Sequence, residues 1–296
     1  MKEILIFANE SQEVKEIVQH LLQKHFKITI FTFTKFKDIA AFVGMSPLQI
    51  DIVVLKIANY YNWKHELHKY DTILNLIKIT DFPSQNIAVV FENFTMAFAQ
   101  SVKNLGKKVI YVSNFHNEFL YGSCVLRAEE AMLSQCSEML YIRHGFLIHS
   151  QSQFLTDVIN TKILFLSEKI LNSQMQITPV WDISSIISQH TNIGNTHKLS
   201  LSGEKYSLKD IISLTQLQGN QKKYIIKIPH FVLMLIAKIL HFLPQRFYSS
   251  LHNHKTLSNI LHIGKNKFKA ESTYAYTLFA KILDKHLKNL FSSEIE

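Results

Sequence analysis

Apolar and polar positions fall in blocks along this chain, and each block carries the period of one kind of element. Residues 4–8, Ile-Leu-Ile-Phe-Ala, are apolar without interruption and predict a strand buried on both faces, beginning at Glu3. Polar residues 9–13 follow, and then Val14, Ile17, Val18, Leu21 and Leu22 recur at helical spacing. Residues 27–33, rich in Ile, Thr and Phe, predict a second short strand. Strand, helix and strand in this order make a βαβ unit, because two parallel strands need a crossover between them. Residues 51–58, with Ile52, Val53, Val54 and Leu55, predict a third buried strand. A helix over 91–104 closes at Gly106, a residue able to take the left-handed conformation that follows many helices. A fourth strand over 108–113, a helix over 123–133 and a strand over 139–143 complete the pattern. Alternation of this kind predicts an α/β chain with a Rossmann-like, doubly wound parallel sheet over 1–170. A smaller C-terminal α/β lobe over 171–296, mostly helical, is expected to interleave with it.

Composition narrows this picture. With 296 residues and 47% hydrophobic content, the chain can bury one large core, or one core and a smaller lobe. The formal charge of +9 permits contact with nucleic acid, anionic lipid or a phosphorylated ligand. Lysines and arginines are scattered rather than gathered, so no specific nucleic-acid binding is expected. Cys124 and Cys136 have neither metal-ligand spacing nor a disulfide framework, which suits a reducing compartment, and the cytoplasm is the expected location. The first residues lack the basic flank and cleavage site of a signal peptide. His65, His68, His116, His144 and His149 form no helix-face pair with a suitable carboxylate, so no metal is expected. The apolar run 231–243 is interrupted by Lys238 and His241 and is shorter than the roughly 20 residues of a membrane span. With the basic stretch Lys265-Asn-Lys-Phe-Lys269 it offers a surface for a protein partner or for peripheral attachment to an anionic membrane; the alternative is a lobe helix packed on the sheet, with solvated lysines.

Several segments carry a family resemblance. Lys103-Asn-Leu-Gly-Lys-Lys-Val-Ile-Tyr-Val-Ser113 resembles the helix, glycine turn and serine-ended strand of extended and atypical short-chain dehydrogenases/reductases. Arg127-Ala-Glu-Glu130 resembles their Lys-x-x-x-Glu helix start, and Met139-Leu-Tyr-Ile-Arg143 the strand ending in Arg-Pro. Pro179-Val-Trp-Asp-Ile183 is similar to the lead into a helix of the C-terminal lobe, and residues 198–212 to that lobe's strand, glycine and helix. Ile228-Pro229 through Leu243-Pro244 resembles a later helix of the lobe. The likeness is to the NmrA-like and NAD-dependent epimerase-like groups, a circle that includes the NAD(P)H-binding accessory subunit of respiratory complex I. It implies an NAD(P)-binding first domain, a substrate or partner lobe after it, and reductase or epimerase chemistry.

Against that pattern the departures bear most on function. The family's first strand leads into G-x-x-G-x-x-G, whose missing side chains admit a pyrophosphate to the backbone and the helix N-terminus. Here the stretch is Ala8-Asn-Glu-Ser-Gln-Glu-Val14, without a glycine, and Glu10 and Glu13 would repel the anion. Within it the resemblance leaves Ala8, Asn9 and Ser11 as cofactor contacts. After the second strand, Thr34-Lys35-Phe36-Lys37 lacks the acid that accepts ribose hydroxyls, and Lys35 suits a 2′-phosphate, so a surviving cofactor would be NADP(H). Asp51 and Ala58 lie along the implied cofactor path. The class's Ser, Tyr and Lys, in which the lysine lowers the tyrosine pKa for proton exchange, leave Ser113, Tyr121 and Arg127 as catalytic candidates. Ser123 stands at the tyrosine offset from Arg127, and Tyr121 lies two residues early. The bland alternative has Ser113 ending its strand and Arg127 pairing with Glu130 or Glu129. A non-catalytic scaffold, sensor or assembly partner is the expected function; an NAD(P)-dependent reductase or epimerase with a remodelled site is the alternative.

Overall fold

The computed structural model describes residues 2–34, 50–55, 63–82, 87–103, 105–114, 122–136, 139–149, 152, 158–190, 197–201, 205–219 and 222–232. They divide into two compact units, the first holding Met1–His144 and Val180–Leu201, the second Gly145–Pro179 and the described residues after 201. Residues 145–170 therefore group with the second unit, and 180–201 return to the first.

The first unit is built on a seven-stranded sheet in which every pairing is parallel. Its strands are β1 (Glu3–Phe7), β2 (Lys27–Thr32), β3 (Ile50–Val54), β4 (Thr72–Asn75), β5 (Lys108–Asn114), β6 (Met139–His144) and β10 (His197–Leu201), in the order β10-β6-β5-β4-β1-β2-β3. Successive side chains point to opposite faces of such a sheet. Leu5 and Phe7 of β1 thus join one core, with Ile73, Val109 and Tyr111, while the neighbouring Ile4 and Ile6 are equally buried outside that cluster. Burial on both faces is why β1 reads as a continuous apolar run; β3, expected to be buried as well, is an edge strand that leaves Val53 and Val54 exposed. Phe7 meets Phe31, Trp63 and Phe98 with ring centroids 5.4, 5.1 and 5.0 Å apart, which makes the core strongly aromatic.

Among the described residues, helices α1 (Gln12–Gln23), α2 (Lys64–Leu67), α3 (Ile87–Val102), α4 (Gly122–Gln135) and α6 (Val180–His190) belong to this unit. The short α5 (Glu168–Leu171) belongs to the second. Val14, Ile17, Val18, Leu21 and Leu22 form the buried stripe of α1, as their spacing predicts. The helix ends in a Schellman motif, with the N–H of Phe26 donating to Leu21 and that of His25 to Leu22. His25 sits there at φ 61, a left-handed position that glycine usually takes. Gly106 takes φ +61, the conformation expected of it.

Two placements correct the resemblance. Residues 180–190 and 197–201 were expected in the C-terminal lobe, yet α6 packs on α1 and β10 lies beside β6 in the main sheet. The reason is physical: Val180, Ile183, Ile186 and Ile187 make an apolar stripe that buries in the first unit, and Leu199 and Leu201 give β6 a buried edge partner. β4 was not expected at all. Its four residues are all buried, but they are too few to show a period.

The second unit holds β7 (Phe146–Ile148), β9 (Gln174–Pro179) and β11 (Lys205–Ser207) in one sheet, ordered β11-β9-β7. A separate parallel ribbon is formed by β8 (Ile163–Leu166) and β12 (Tyr224–Lys227), and α7 (Leu208–Gly219) packs against β11 and α5. Gly145 opens this unit where a Cβ would lie 2.4 Å from the Gln176 carbonyl oxygen, so no larger residue fits. No described helix is long and apolar enough to cross a membrane.

Candidate functional site

Strand order reverses between β1 and β4, and in open parallel sheets that reversal opens the crevice where ligands bind, beyond the carboxyl ends of the strands. Residues 8–11 leave β1 at this corner, and residues 76–78 leave β4. Ala8 is fully buried, and its N–H donates to Phe31 at 3.0 Å, which carries strand pairing one residue past β1.

Asn9 knits the corner together. Its Oδ1 accepts from the Thr32 hydroxyl and the Phe33 N–H, each at 3.0 Å, and its Nδ2 donates to the Asp81 carbonyl at 3.2 Å. Ser11 is the N-cap of α1: the Val14 N–H donates to its Oγ at 3.2 Å, satisfying one of the helix's open donors. Glu13 pairs with Lys78 at 2.5 Å, so an ion pair joins the first turn of α1 to the segment after β4. Asp81 closes the same group, its Oδ2 accepting from the Lys78 N–H at 2.8 Å. Burial holds the Asp81 carboxyl above the usual carboxylate range, against the lowering pull of Lys78. Asn75, at the end of β4, is buried; its Oδ1 accepts from Ile77, and its Nδ2 has no hydrogen-bond partner among the described residues.

Asp51 is not brought to this corner. It lies early in the edge strand β3, in register with Thr29 and with Leu5 one strand further in, while the corner begins beyond Phe7. Lys35 and Ala58 lie outside the described residues, as do Lys37, Tyr121 and the run 265–269.

At the ends of β5 and β6 a second polar group forms inside the protein. The Ser113 hydroxyl donates to Glu129 Oε1 at 2.5 Å, and Arg143 Nη2 pairs with Glu129 Oε2. Arg143 Nε also donates to the Tyr141 hydroxyl at 3.1 Å. Tyr141 stacks on Tyr111 with centroids 5.9 Å apart, and burial pushes both phenols up, with the Glu129 charge adding to the effect. Neither is poised to ionise near neutral pH.

Arg127 stands apart from this group. The bland alternative to a catalytic role paired it with Glu130 or Glu129; instead its Nε and Nη2 donate to the two oxygens of Glu92, each at 2.8 Å. Side-by-side packing of α3 and α4 brings Glu92 within reach, while Glu129 faces inward between the core residues Val125 and Met132. Four residues after Tyr121, at the offset of the family's lysine, stands the buried Val125. Sequence reasoning missed Glu129 as the centre of this group, although an acid at helical spacing from Val125 and Met132 was the available signal. It also missed Lys78 and Asp81, which carry no motif. Among the described residues no group of three or more His, Cys, Asp or Glu could hold a metal ion.

No family model matches the chain, and no curated protein matches it. Solved structures do. A nucleoside-diphosphate-sugar epimerase from Staphylococcus aureus superposes with a TM-score of 0.66 at 12% identity, covering 96% of this chain and 100% of that one. The Bordetella bronchiseptica enzyme WbmG, solved with NAD and UDP, gives 0.64 at 10% identity over 98% and 94%. A dTDP-glucose 4,6-dehydratase from Bacillus anthracis, solved with NAD, gives 0.62 at 14% identity over 78% and 86%. The chain has the fold of the epimerase-like short-chain dehydrogenases/reductases, and at these identities the likeness is one of fold.

Proposed function

We propose that this protein is a non-catalytic scaffold, sensor or assembly partner, working in the cytoplasm, which keeps the epimerase-like fold without the machinery of hydride transfer. One observation carries the reading: at the corner where strand order reverses, the polar side chains are bonded to one another. Asn9 spends its amide on Thr32, Phe33 and Asp81, and Glu13 is bound to Lys78 across the same corner.

In proteins of this fold that bind a dinucleotide, the cofactor supplies the hydride donor or acceptor. Its pyrophosphate needs bare backbone N–H groups at the start of the first helix. Every position from 8 to 14 here carries a side chain, and Ser11 already caps the helix. These residues do not fit a pyrophosphate held in that manner. The catalytic candidates support the same conclusion. Ser113 is committed to a buried carboxylate, Arg127 to Glu92, and Val125 replaces the lysine that would activate Tyr121.

A second reading, a remodelled NAD(P)-dependent reductase or epimerase, has one observation in its favour. The buried Asn75 Nδ2 is an unspent donor at that corner. On this reading Lys35 selects NADP(H). A thermal-shift titration with NAD, NADH, NADP and NADPH separates the two, since a ligand at a hundred times its Kd stabilises by about 2.7 kcal/mol. The scaffold reading expects no shift with any of the four. A rise with NADPH that disappears in the Lys35→Ala, Lys37→Ala variant would establish the second reading instead.

A further inference from the structure

A parallel ribbon of two strands ordinarily has both faces covered, and among the described residues the one formed by β8 and β12 does not. Register places Ile163 opposite Tyr224 and Phe165 opposite Ile226, so these four side chains share one face. They are 49%, 64%, 47% and 45% exposed, and Phe231, just beyond β12, is 74% exposed. Leu166, on the opposite face, is buried. Contiguous large apolar groups at this exposure are uncommon on proteins that stay free in solution.

Charge decides what covers them. Lys162 and Lys222 border the start of the ribbon, both exposed, and the Tyr224 N–H donates to the Lys162 carbonyl, while Lys227, in register with Leu166, pairs with Glu168. The described residues of this unit carry seven lysines, at 162, 169, 205, 209, 222, 223 and 227, against the acids Glu168 and Asp210. A second copy would set lysine against lysine across a symmetric contact. Residues 233–296 are themselves net basic and offer no better match. An anionic bilayer satisfies both demands at once, with an acyl boundary for the apolar groups and phosphate headgroups for the lysines. Phe165, Tyr224 and Phe231 are the kind of rings that settle at such a boundary.

We propose that the Ile163, Phe165, Tyr224 and Ile226 face, with Lys162 and Lys222 at its start and the exposed Phe231 just beyond β12, docks this protein on the surface of anionic membranes. The full chain is tested by flotation with phosphatidylcholine vesicles and with mixed phosphatidylcholine–phosphatidylglycerol vesicles. It is expected to float with the mixed vesicles, to bind neutral ones at least about tenfold more weakly, and to be released by salt. Phe165→Ser with Tyr224→Ser should weaken binding about tenfold or more. Lys162→Glu with Lys222→Glu should weaken it by about fivefold for each lysine removed, or more. All four positions are exposed, so the melting transition should stay where it is, and this is checked on the same samples. Equal binding to both vesicle types, undiminished binding of both variants, or no binding at all would overturn the proposal. So would a concentration-dependent dimer in light scattering that the Phe165, Tyr224 variant abolishes, since the face would then belong to a second copy.

Discussion

Glu129 shows what a single buried acid holds together. One carboxylate accepts from the Ser113 hydroxyl and pairs with Arg143, which in turn reaches Tyr141. Removing a member of a buried ion pair leaves the other charge without compensation, which typically costs about 3–5 kcal/mol. Glu129→Ala should therefore lower stability by about that amount in urea denaturation. Glu129→Gln, which keeps the shape and an accepting oxygen, should cost clearly less. Arg127→Ala should barely move the midpoint, because its pair with Glu92 is largely in solvent. A large effect at Arg127 and none at Glu129 would mean that the polar group at the ends of β5 and β6 is not what the geometry says. At this scale the sequence was legible in kind but not in role. Asn9, Ser11, Ser113 and Arg127 could be singled out as polar residues at telling offsets. Ser11 caps its own helix, but the partners of Asn9, Ser113 and Arg127, namely Asp81, Glu129 and Glu92, stand 16 or more residues off along the chain and come together only through packing.

Among the elements, those with a full period were readable and the short ones were not. The buried stripe of α1 and the apolar runs of β1, β2 and β5 are long enough to declare themselves. β4, β7 and β12, with three or four residues each, give no period to detect. α1 also carries a titration worth following. Burial, and secondarily Lys24, lowers the His20 pKa from its ordinary 6.5, and its buried Nε2 has no hydrogen-bond partner among the described residues. A base whose folded pKa is depressed binds its proton more readily in the unfolded chain. Stability is therefore full above about 6.5 and falls as the pH drops below it. Chemical denaturation between pH 7.5 and 5 should show this loss, and His20→Gln should make it shallower. An unchanged slope in the variant would shift the acid sensitivity to other groups.

For the whole molecule, the parallel sheet and the existence of a second lobe were legible, because alternation of strand and helix periods dictates both. The path between the units was not. A resemblance assigns residues by segment, whereas α6 and β10 go where their apolar stripes find cover. β10 has a consequence for the order of events during synthesis. When residue 170 leaves the ribosome, β6 still has an open edge and α1 still lacks its helical neighbour α6, since both come from residues 180–201. A fragment ending at 170 should be insoluble or protease-sensitive, and one ending at 201 markedly less so, as limited proteolysis would show. The nascent chain must begin the second unit before it can finish the first, and for that interval its longest sheet is left with an unprotected flank in a crowded cell.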